Sequence, residues 1–273
     1  MNALTTIQFS AATKRFAGRG NNRHTAVDSV DLLITAESRI GIVGESGSGK
    51  STMVRMMVGL EGPTEGSVEF RGRSITAMGR GDLRQFRREV QLVAQDTSSS
   101  FDPRRTLRDS IRRPALELLG LKGAAADDAV DATVHSLDLD PSLTGRFPHQ
   151  VSGGQRQRFA IARALVVNPK IIICDEAVSA LDVSVQGSVL NLLKKHCETN
   201  DAGLVFVSHG LPATAFISEE LIVMYQGHIV ERGTTEDVIF RSSHDYTRKL
   251  IDAYRTTSDT PNSPGPRLTK VTA

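Results

Sequence analysis

A glycine-rich stretch at residues 44–51 has the composition and spacing of a phosphate-binding loop. Its sequence, GESGSGKS, matches the pattern G-x-x-x-x-G-K-[ST] at every fixed position. In such a loop the backbone N–H groups converge on phosphate oxygens, the lysine (Lys50) reaches the terminal phosphates, and the Ser51 hydroxyl holds Mg²⁺. The pattern predicts a nucleoside triphosphate site, which a GTPase, a kinase or a motor ATPase would each carry.

The flanking residues supply the strand–loop–helix context that this motif needs. The apolar stretch RIGIV (residues 39–43) predicts a buried strand before the loop, and a helical pattern runs on from Ser51. This context argues against a fortuitous glycine-rich turn. The residues expected to contact the nucleotide are Gly44, Glu45, Ser46, Gly47, Ser48, Gly49, Lys50, Ser51 and Thr52.

Two carboxylates follow a continuous apolar stretch at residues 171–174. Asp175 and Glu176 come directly after Ile-Ile-Ile-Cys, so a strand would place them at the sheet edge where α/β proteins bind ligands. Asp175 is suited to coordinate Mg²⁺, directly or through water, and Glu176 to polarise an attacking water. An isolated acidic pair is usually a solvated turn, but the phosphate loop in the same chain favours the catalytic interpretation.

Two further polar residues follow apolar stretches and are expected at the same edge. Gln95 comes after Val-Gln-Leu-Val-Ala (residues 90–94), where it could sense the metal or the attacking water. His209 comes after the strand predicted over residues 205–208 and is a candidate catalytic residue. The other six histidines, among them His24, have no such placement and receive no role.

A second anion site is predicted at residues 151–165, VSGGQRQRFAIARAL. Ser152 lies near the N-cap of a predicted helix, and Gly153 and Gly154 allow close backbone approach, so free N–H groups and the helix dipole favour a negative ligand. The question is why one chain would carry two phosphate sites.

The periodicity of the chain predicts a mainly parallel α/β sheet. Apolar strands alternate with helices, and a helical stretch at 106–150 interrupts the alternation. Residues 17–25, AGRGNNRHT, are expected to form a polar loop between two N-terminal strands. Helices are expected from Gln155 to about Val167 and over 188–196, and the Pro/Ser/Thr-rich tail is expected to be disordered.

Bulk composition excludes several classes of protein. With a net charge of +2 over 273 residues, the chain lacks the basic excess of a dedicated nucleic-acid binder. The two cysteines have no CxxC spacing, which argues against zinc ribbons, iron–sulfur sites and disulfide frameworks. No apolar run approaches the length of a membrane helix and no signal peptide is evident, so the sequence predicts a soluble protein.

Taken together, the motifs resemble the nucleotide-binding subunit of an ABC transporter, over about residues 6–252. Their order is that of the family: Walker A at 44–51, Q-loop at Gln95, signature at 151–155, Walker B at 171–176, D-loop at 179–182 and switch histidine at His209. The resemblance implies a P-loop NTPase (RecA-like) fold, with a mainly parallel sheet, an inserted helical subdomain and a small antiparallel β portion. It also implies that Phe16 stacks on adenine.

The closer resemblance is to the oligopeptide/dipeptide/nickel importer group. It is carried by VGESGSGKST, AQDTSSSFDPRRT, RFPHQVSGGQRQR, CDEAVSALDVSVQ, VMYQGHIVERG and HDYTRKLIDA. The departures are few: Val151, Asp102, Ala177 and Gly210 stand where Leu, Asn, Pro and Asp are usual. None removes a residue that the chemistry needs, so the resemblance implies a site that hydrolyses ATP.

The resemblance also answers the question of the two phosphate sites. In this family two nucleotide-binding domains pair head to tail, and each ATP lies between one P-loop and the partner's signature helix. Residues that would act on the partner's ATP are Ser152, Gly153, Gly154, Gln155 and Asp182. ATP and Mg²⁺ are the implied cofactors, with Ser51, Gln95 and Asp175 at the metal.

The implied domain organisation is a single ABC ATPase domain at 1–255. Its nucleotide-binding core would cover about 1–94 and 167–255 and its helical subdomain about 95–166, followed by a disordered tail at 256–273. The implied partners are two transmembrane permease subunits, a second ABC ATPase chain (a related chain or a second copy) and, indirectly, an extracytoplasmic solute-binding protein. No nucleic-acid partner is expected.

The implied function is ATP-powered import of a peptide, nickel or similar small solute, by a subunit held peripherally at the cytoplasmic face of the inner membrane. An exporter subunit, a non-transport ABC clamp and an ATP-binding switch without turnover remain alternatives. The sequence does not distinguish the transported substrates.

Overall fold

In the computed structural model, parallel strands carry the four predicted catalytic segments to one edge of a sheet. The structure describes residues 5–17, 23–95, 100–178, 181 and 183–258. The strands are β1 Thr6–Ala17, β2 Arg23–Thr35, β3 Arg39–Val43, β4 Glu65–Phe70, β5 Arg73–Ser74, β6 Val90–Val93, β7 Ile171–Asp175, β8 Gly203–Val207, β9 Glu220–Tyr225 and β10 His228–Thr234.

Helices connect these strands and form the insertion between β6 and β7. The α-helices are α1 Lys50–Met57, α2 Arg80–Glu89, α3 Leu107–Pro114, α4 Ala124–Ser136, α5 Gly153–Leu165, α6 Val183–Asn200, α7 Leu211–Ile217, α8 Thr235–Phe240 and α9 Asp245–Ser258. Short 3₁₀ turns lie at Ile75–Ala77, Pro141–Leu143 and Pro148–Gln150, and a π-turn at Ala115–Leu119. Within the described residues, no helix is both long and apolar enough to cross a membrane.

The main sheet has the strand order β10-β9-β3-β8-β7-β6. Its pairs are parallel from β6 to β9, and only β10 runs antiparallel to its neighbour. A second sheet, β2-β1-β4-β5, is antiparallel throughout. Together with the helical insertion between β6 and β7, these sheets confirm the predicted fold class.

Both faces of the main sheet are covered, which explains why its strands are continuously apolar. On β7, Ile172 and Cys174 pack with α3, α5 and α6, while Ile171 and Ile173 pack with α1 and the antiparallel sheet. All four residues are fully buried. The sheet is therefore held between two cores, and its loops at the carboxyl edge are positioned from both sides.

Several predicted boundaries were wrong. Part of the stretch expected to be a loop at 17–25 is strand, because β1 reaches Ala17 and β2 begins at Arg23, while residues 18–22 lie outside the described part of the chain. Phe16 pairs with His24 across the two strands. Helix α5 begins at Gly153 and ends at Leu165, two residues earlier than expected at each end. The helix expected at 188–196 extends over Val183–Asn200. Helix α9 continues to Ser258, past the predicted domain end at 255, and residues 259–273 lie outside the described part of the chain.

Candidate nucleotide-binding site

The predicted catalytic segments converge because each follows the carboxyl end of a parallel strand. The phosphate loop follows β3, Gln95 lies two residues beyond β6, Glu176 follows β7, and His209 lies two residues beyond β8. Parallel strands end at the same edge of a sheet, so segments far apart in the chain meet there. The sheet order β3-β8-β7-β6 thus assembles one site from four loops.

Glycine is required where the phosphate loop turns into α1. Gly49 is the N-cap of α1 and has a φ of 107°, a conformation that residues with a Cβ rarely adopt. A Cβ on Gly49 would lie 2.1 Å from the carbonyl oxygen of Ala26. The loop is therefore pressed against the start of β2, and this contact allows no side chain.

Lys50 lies inside the loop, with only 5% of its surface exposed. Its Nζ donates hydrogen bonds to the carbonyl oxygens of Gly44 and Glu45, both at 2.7 Å, and to Ser48 Oγ at 3.3 Å. Burial lowers the pKa of Lys50, and the carboxylates of Glu176 and Asp175 oppose that effect. The ammonium group is thus held by the loop beside two acidic residues.

Asp175 carries an unpaired oxygen at the point where a metal is expected. Its Oδ1 is buried and has no hydrogen-bond partner, and the neighbouring Ser51 hydroxyl helps to lower the pKa of the carboxyl. Burial raises the pKa of Asp175, and the negative charge of Glu176 raises it further, because the carboxylate is not fully neutralised. One carboxylate beside one hydroxyl fits Mg²⁺, which takes few protein oxygens and keeps several waters.

Glu176 lies between the other two predicted catalytic side chains. Gln95 Nε2 donates a hydrogen bond to Glu176 Oε2 at 2.5 Å, and His209 Nδ1 lies 3.4 Å from Glu176 Oε1. The backbone of Glu176 is left-handed, with a φ of 50°, and its N–H donates to Val207 O at 2.8 Å. This bond to β8 fixes the turn that directs the carboxylate towards the loop.

A cavity of about 530 Å³ opens between these groups and the antiparallel sheet. Phe16 lies in its wall, and the Lys14 ammonium lies 5.1 Å from the centre of the Phe16 ring. An aromatic ring at this place could stack on a nucleobase. The lining residues are Phe16, His24, Ala26, Ser46, Gly47, Gly49, Lys50, Ser51, Thr52, Gln95, Glu176 and His209.

The remaining predicted loop residues support this cavity without lining it. Gly44, Glu45 and Ser48 all bind the Lys50 ammonium, and Asp175 contacts Ser51 behind the wall. His24 is a cavity residue to which the sequence analysis gave no role. The signal that could have found it is its pairing with Phe16, which depends on the β1–β2 register.

The second predicted anion site forms a separate cavity of about 380 Å³. Ser152 Oγ accepts a hydrogen bond from the Gln155 N–H, and the Ser152 N–H donates to Gln155 Oε1 at 2.9 Å. Gln155 therefore closes a capping box at the start of α5, which occupies its side-chain oxygen. The lining residues are Ser152, Gly153, Gly154, Gln155, Arg158, Leu181 and Val185, none of which lines the first cavity.

Asp182, expected to act on a partner's ATP, lies outside the described residues. Cys174 and Cys197 are both buried and free. Burial raises the pKa of the Cys197 thiol to about 11, so it remains protonated at neutral pH. The catalytic and binding roles of the residues in both cavities stay predictions.

Comparison with known proteins identifies the family. The family model described as ABC transporter matches residues 27–179. The oligopeptide transport ATP-binding protein OppF of Salmonella typhimurium is 42% identical over 230 residues, which are 84% of this chain and 69% of OppF. The putative oligopeptide transport ATP-binding protein YkfD of Bacillus subtilis is 38% identical over 255 residues, 93% of this chain and 77% of YkfD.

The glutathione import ATP-binding protein GsiA of Salmonella typhimurium is 43% identical over 229 residues, but these make up 84% of this chain and only 37% of GsiA. Among solved structures, a dimeric structure of MJ0796, a bacterial ABC transporter cassette, matches with a TM-score of 0.77 at 29% identity. That match covers 84% of this chain and 98% of the cassette. A post-hydrolysis dimer of MJ0796 with ADP and Pi matches with the same TM-score and coverage at 28% identity. The chain therefore belongs to the ABC transporter family, and its relatives there include ATP-binding subunits of importers.

Proposed function

We propose that this chain binds and hydrolyses ATP to power the import of a peptide or another small solute through separate permease subunits. The observation that carries the hydrolytic part is the set of contacts around Glu176, with Gln95 on one carboxylate oxygen and His209 near the other. Together with the phosphate loop across the cavity, these residues are suited to position a water molecule against a terminal phosphate.

The chain's own residues divide the work of phosphoryl transfer. The loop and the Lys50 ammonium hold the phosphates, and Glu176 orients the attacking water and accepts its proton. His209, with 61% of its side chain exposed at the cavity mouth, is placed to contact the terminal phosphate. Ser51 and Asp175 would hold Mg²⁺, which when bound would offset the charge on the phosphates.

The second cavity, lined by residues 152–155 and called the signature cavity below, fits an arrangement of two chains. Apart from the backbone of α5 and the two chain neighbours, no described atom lies within 4 Å of where a Cβ on Gly153 would be, so the start of α5 is open to an incoming group. Because this cavity shares no lining residue with the first, we assign it to the ATP of a second ABC chain, either a copy of this one or a related subunit. The dimeric MJ0796 cassette supports that assignment.

The printed names of OppF and YkfD support an oligopeptide as cargo, and that of GsiA supports glutathione, a small peptide. A peptide is therefore the substrate class we propose for the assembled transporter. The chain itself would act at the cytoplasmic face of the inner membrane, bound to two permease subunits. An extracytoplasmic solute-binding protein would deliver the solute to these permeases.

The decisive experiment compares Glu176→Gln with wild-type protein in ATP binding, ATP hydrolysis and dimerisation. We expect Glu176→Gln to bind ATP, to lose turnover by about 10²- to 10⁴-fold, the contribution of a general base, and to accumulate as an ATP-bound dimer. The matched control is Glu198→Gln, the same change at an exposed position of α6 that lines neither cavity. Near-normal hydrolysis by Glu176→Gln would remove Glu176 from the mechanism.

A pull-down of tagged Glu176→Gln protein from gently solubilised membranes with ATP tests the transport part. Multi-span permeases among the recovered proteins would support import, and the solute-binding protein encoded with them would identify the peptide. Recovery of ribosomes or nucleic acid instead would contradict the transport proposal while leaving the ATPase proposal intact.

A further inference from the structure

The three tyrosines of this chain lie near one another, and one of them, Tyr246, touches the phosphate loop. Tyr225 ends β9, and Tyr246 and Tyr254 lie on α9. The rings of Tyr225 and Tyr246 have their centres 4.2 Å apart, and Tyr254 is close enough to help raise the pKa of Tyr246, after the larger effect of burial. None of them belongs to the motifs that predicted the ATP site.

The hydroxyl of Tyr246 touches the phosphate loop directly. It accepts a hydrogen bond of 2.9 Å from the backbone N–H of Glu45, a residue 201 positions earlier in the chain. The carbonyl oxygen of Glu45 accepts at the same time from Lys50 Nζ. The Glu45 residue is therefore held through its amide by α9 and through its carbonyl by the lysine expected to bind phosphate.

Tyr254 lies close to the start of the helix that follows the switch histidine. It packs against the apolar cluster that contains Leu211, the first residue of α7, two positions after His209. Burial raises the pKa of the Tyr254 hydroxyl, and the backbone of Leu211 opposes that effect. The first N–H groups of a helix have no partner within it, so a hydroxyl at this place can stabilise the start of α7.

Helix α9 is itself firmly attached, which is what a positioning element requires. Ile251 is buried in a cluster that includes Val43 at the end of β3 and Leu211. At the helix N-terminus, the Glu231 carboxylate accepts hydrogen bonds from the Ser243 N–H and the Ser242 hydroxyl. The same apolar cluster thus joins α9 to the strand before the phosphate loop and to the helix after the switch loop.

We propose that α9 positions both catalytic loops, with Tyr246 fixing the phosphate loop and Tyr254 fixing the backbone beyond His209. This inference rests on the proposed ATPase function for its kinetic consequences and on the contacts of the two tyrosines for its structural ones. The two tyrosines act on different steps, because the phosphate loop binds nucleotide whereas His209 takes part in hydrolysis.

The test uses three tyrosine-to-phenylalanine variants of the full chain, each of which keeps the ring and removes one hydroxyl. Tyr246→Phe is expected to raise the KM for ATP roughly two- to tenfold with kcat unchanged, the effect of one lost hydrogen bond. Tyr254→Phe is expected to lower kcat by a similar factor with KM unchanged. Tyr225→Phe is the matched control, because the Tyr225 hydroxyl accepts a hydrogen bond from its neighbour Gln226.

Hydrogen exchange gives a readout that needs no catalysis. The amide of Glu45 should exchange roughly two- to tenfold faster in Tyr246→Phe, and that of Leu211 in Tyr254→Phe, with neither change in Tyr225→Phe.

If the two α9 variants exchange and turn over like the control, the proposal is wrong. It is also wrong if both variants change KM and kcat alike while lowering the melting temperature, since α9 would then be only a scaffold. A wild-type chain without ATP turnover would contradict the proposed function, and the amide exchange would still decide this proposal.

Discussion

Gln95 and Glu176 lie 81 positions apart in the chain, yet the Gln95 amide nitrogen donates a 2.5 Å hydrogen bond to the Glu176 carboxylate. The two residues follow adjacent parallel strands, so the pairing of β6 with β7 sets the distance between them. Gln95 also stands at the start of the helical insertion. A movement of that insertion would therefore be transmitted directly to the residue that we expect to orient the attacking water.

Gln95→Ala tests this connection. Removing a hydrogen bond to a charged group should lower kcat by about ten- to a hundredfold while ATP binding is retained, because the Gln95 amide bonds to Glu176, which we expect to act in hydrolysis. Gln91→Ala is the control, because Gln91 lies on β6, the strand that leads to Gln95, and its amide donates to the carbonyl oxygen of Arg87 instead. Steady-state hydrolysis and equilibrium binding of ATP separate the two effects. Equal loss of binding and turnover would contradict the assigned role.

Asp175→Asn should make the nucleotide-free protein more stable and abolish its stabilisation by Mg²⁺ with ATP. The pKa of Asp175 is raised in the folded state, so its carboxylate is less favourable there than in the unfolded chain. The native state then binds the extra proton, and stability falls as the pH rises from 3.8, the ordinary pKa of an aspartate side chain, through the folded pKa. The gain in stability from Asp175→Asn should therefore be complete above this pH range and absent below it.

Thermal unfolding at several pH values measures both effects. In wild-type protein, ligand at a hundred times its Kd adds about 2.7 kcal/mol to the free energy of unfolding, and this gain should disappear in Asp175→Asn. Asp138→Asn is the control: Asp138 is exposed and has a φ of 48°, which asparagine tolerates. A variant that stays as responsive as wild type to Mg²⁺ with ATP would remove Asp175 from the metal site.

Gly49→Ala should abolish ATP binding and destabilise the chain by about 2 kcal/mol or more. The added Cβ would lie 2.1 Å from Ala26 O on a backbone with a φ of 107°, so the loop must move. Gly187→Ala makes the same change in the interior of α6, where a Cβ meets nothing within 4 Å, and should stabilise the protein by up to about 1 kcal/mol. Calorimetry with and without ATP distinguishes the two, and normal ATP affinity in Gly49→Ala would refute the assigned geometry.

Mixing two inactive variants tests whether a second copy of this chain completes the ATP site. Lys50→Ala removes the phosphate-loop ammonium, and Gly153→Asp places a carboxylate in the open signature cavity, where it should repel phosphate. If two copies pair head to tail, a mixed dimer has one doubly defective and one intact site. Hydrolysis should then recover to about a quarter of the wild-type rate in an equimolar mixture, when half of the dimers are mixed.

Two controls complete that experiment. Each variant alone should stay inactive at the same total concentration, and a mixture of Lys50→Ala with Glu176→Gln, both altered at the first cavity, should not recover. Failure of the first mixture to recover would mean that a different ABC chain supplies the signature helix.

The motifs alone indicated which residues could carry the chemistry, because phosphate loops and acidic strand ends depend on local spacing. The strand–loop–helix at Lys50, the apolar strand before Asp175 and the N-cap at Ser152 all have short-range signals, and the structure has each of them. The mainly parallel sheet followed from apolar strands alternating with helices, a pattern that holds only when both faces are covered.

The tertiary structure decided which distant residues meet these motifs. In the stretch expected to be a loop at 17–25, Ala17 and residues 23–25 belong to the paired strands β1 and β2, whose register brings His24 beside Phe16 in the cavity wall. Tyr246 reaches Glu45 only because α9 packs on the apolar cluster at the end of β3. Such contacts join residues as many as 201 positions apart, and no local periodicity encodes them, since they depend on which apolar faces the folded chain buries together.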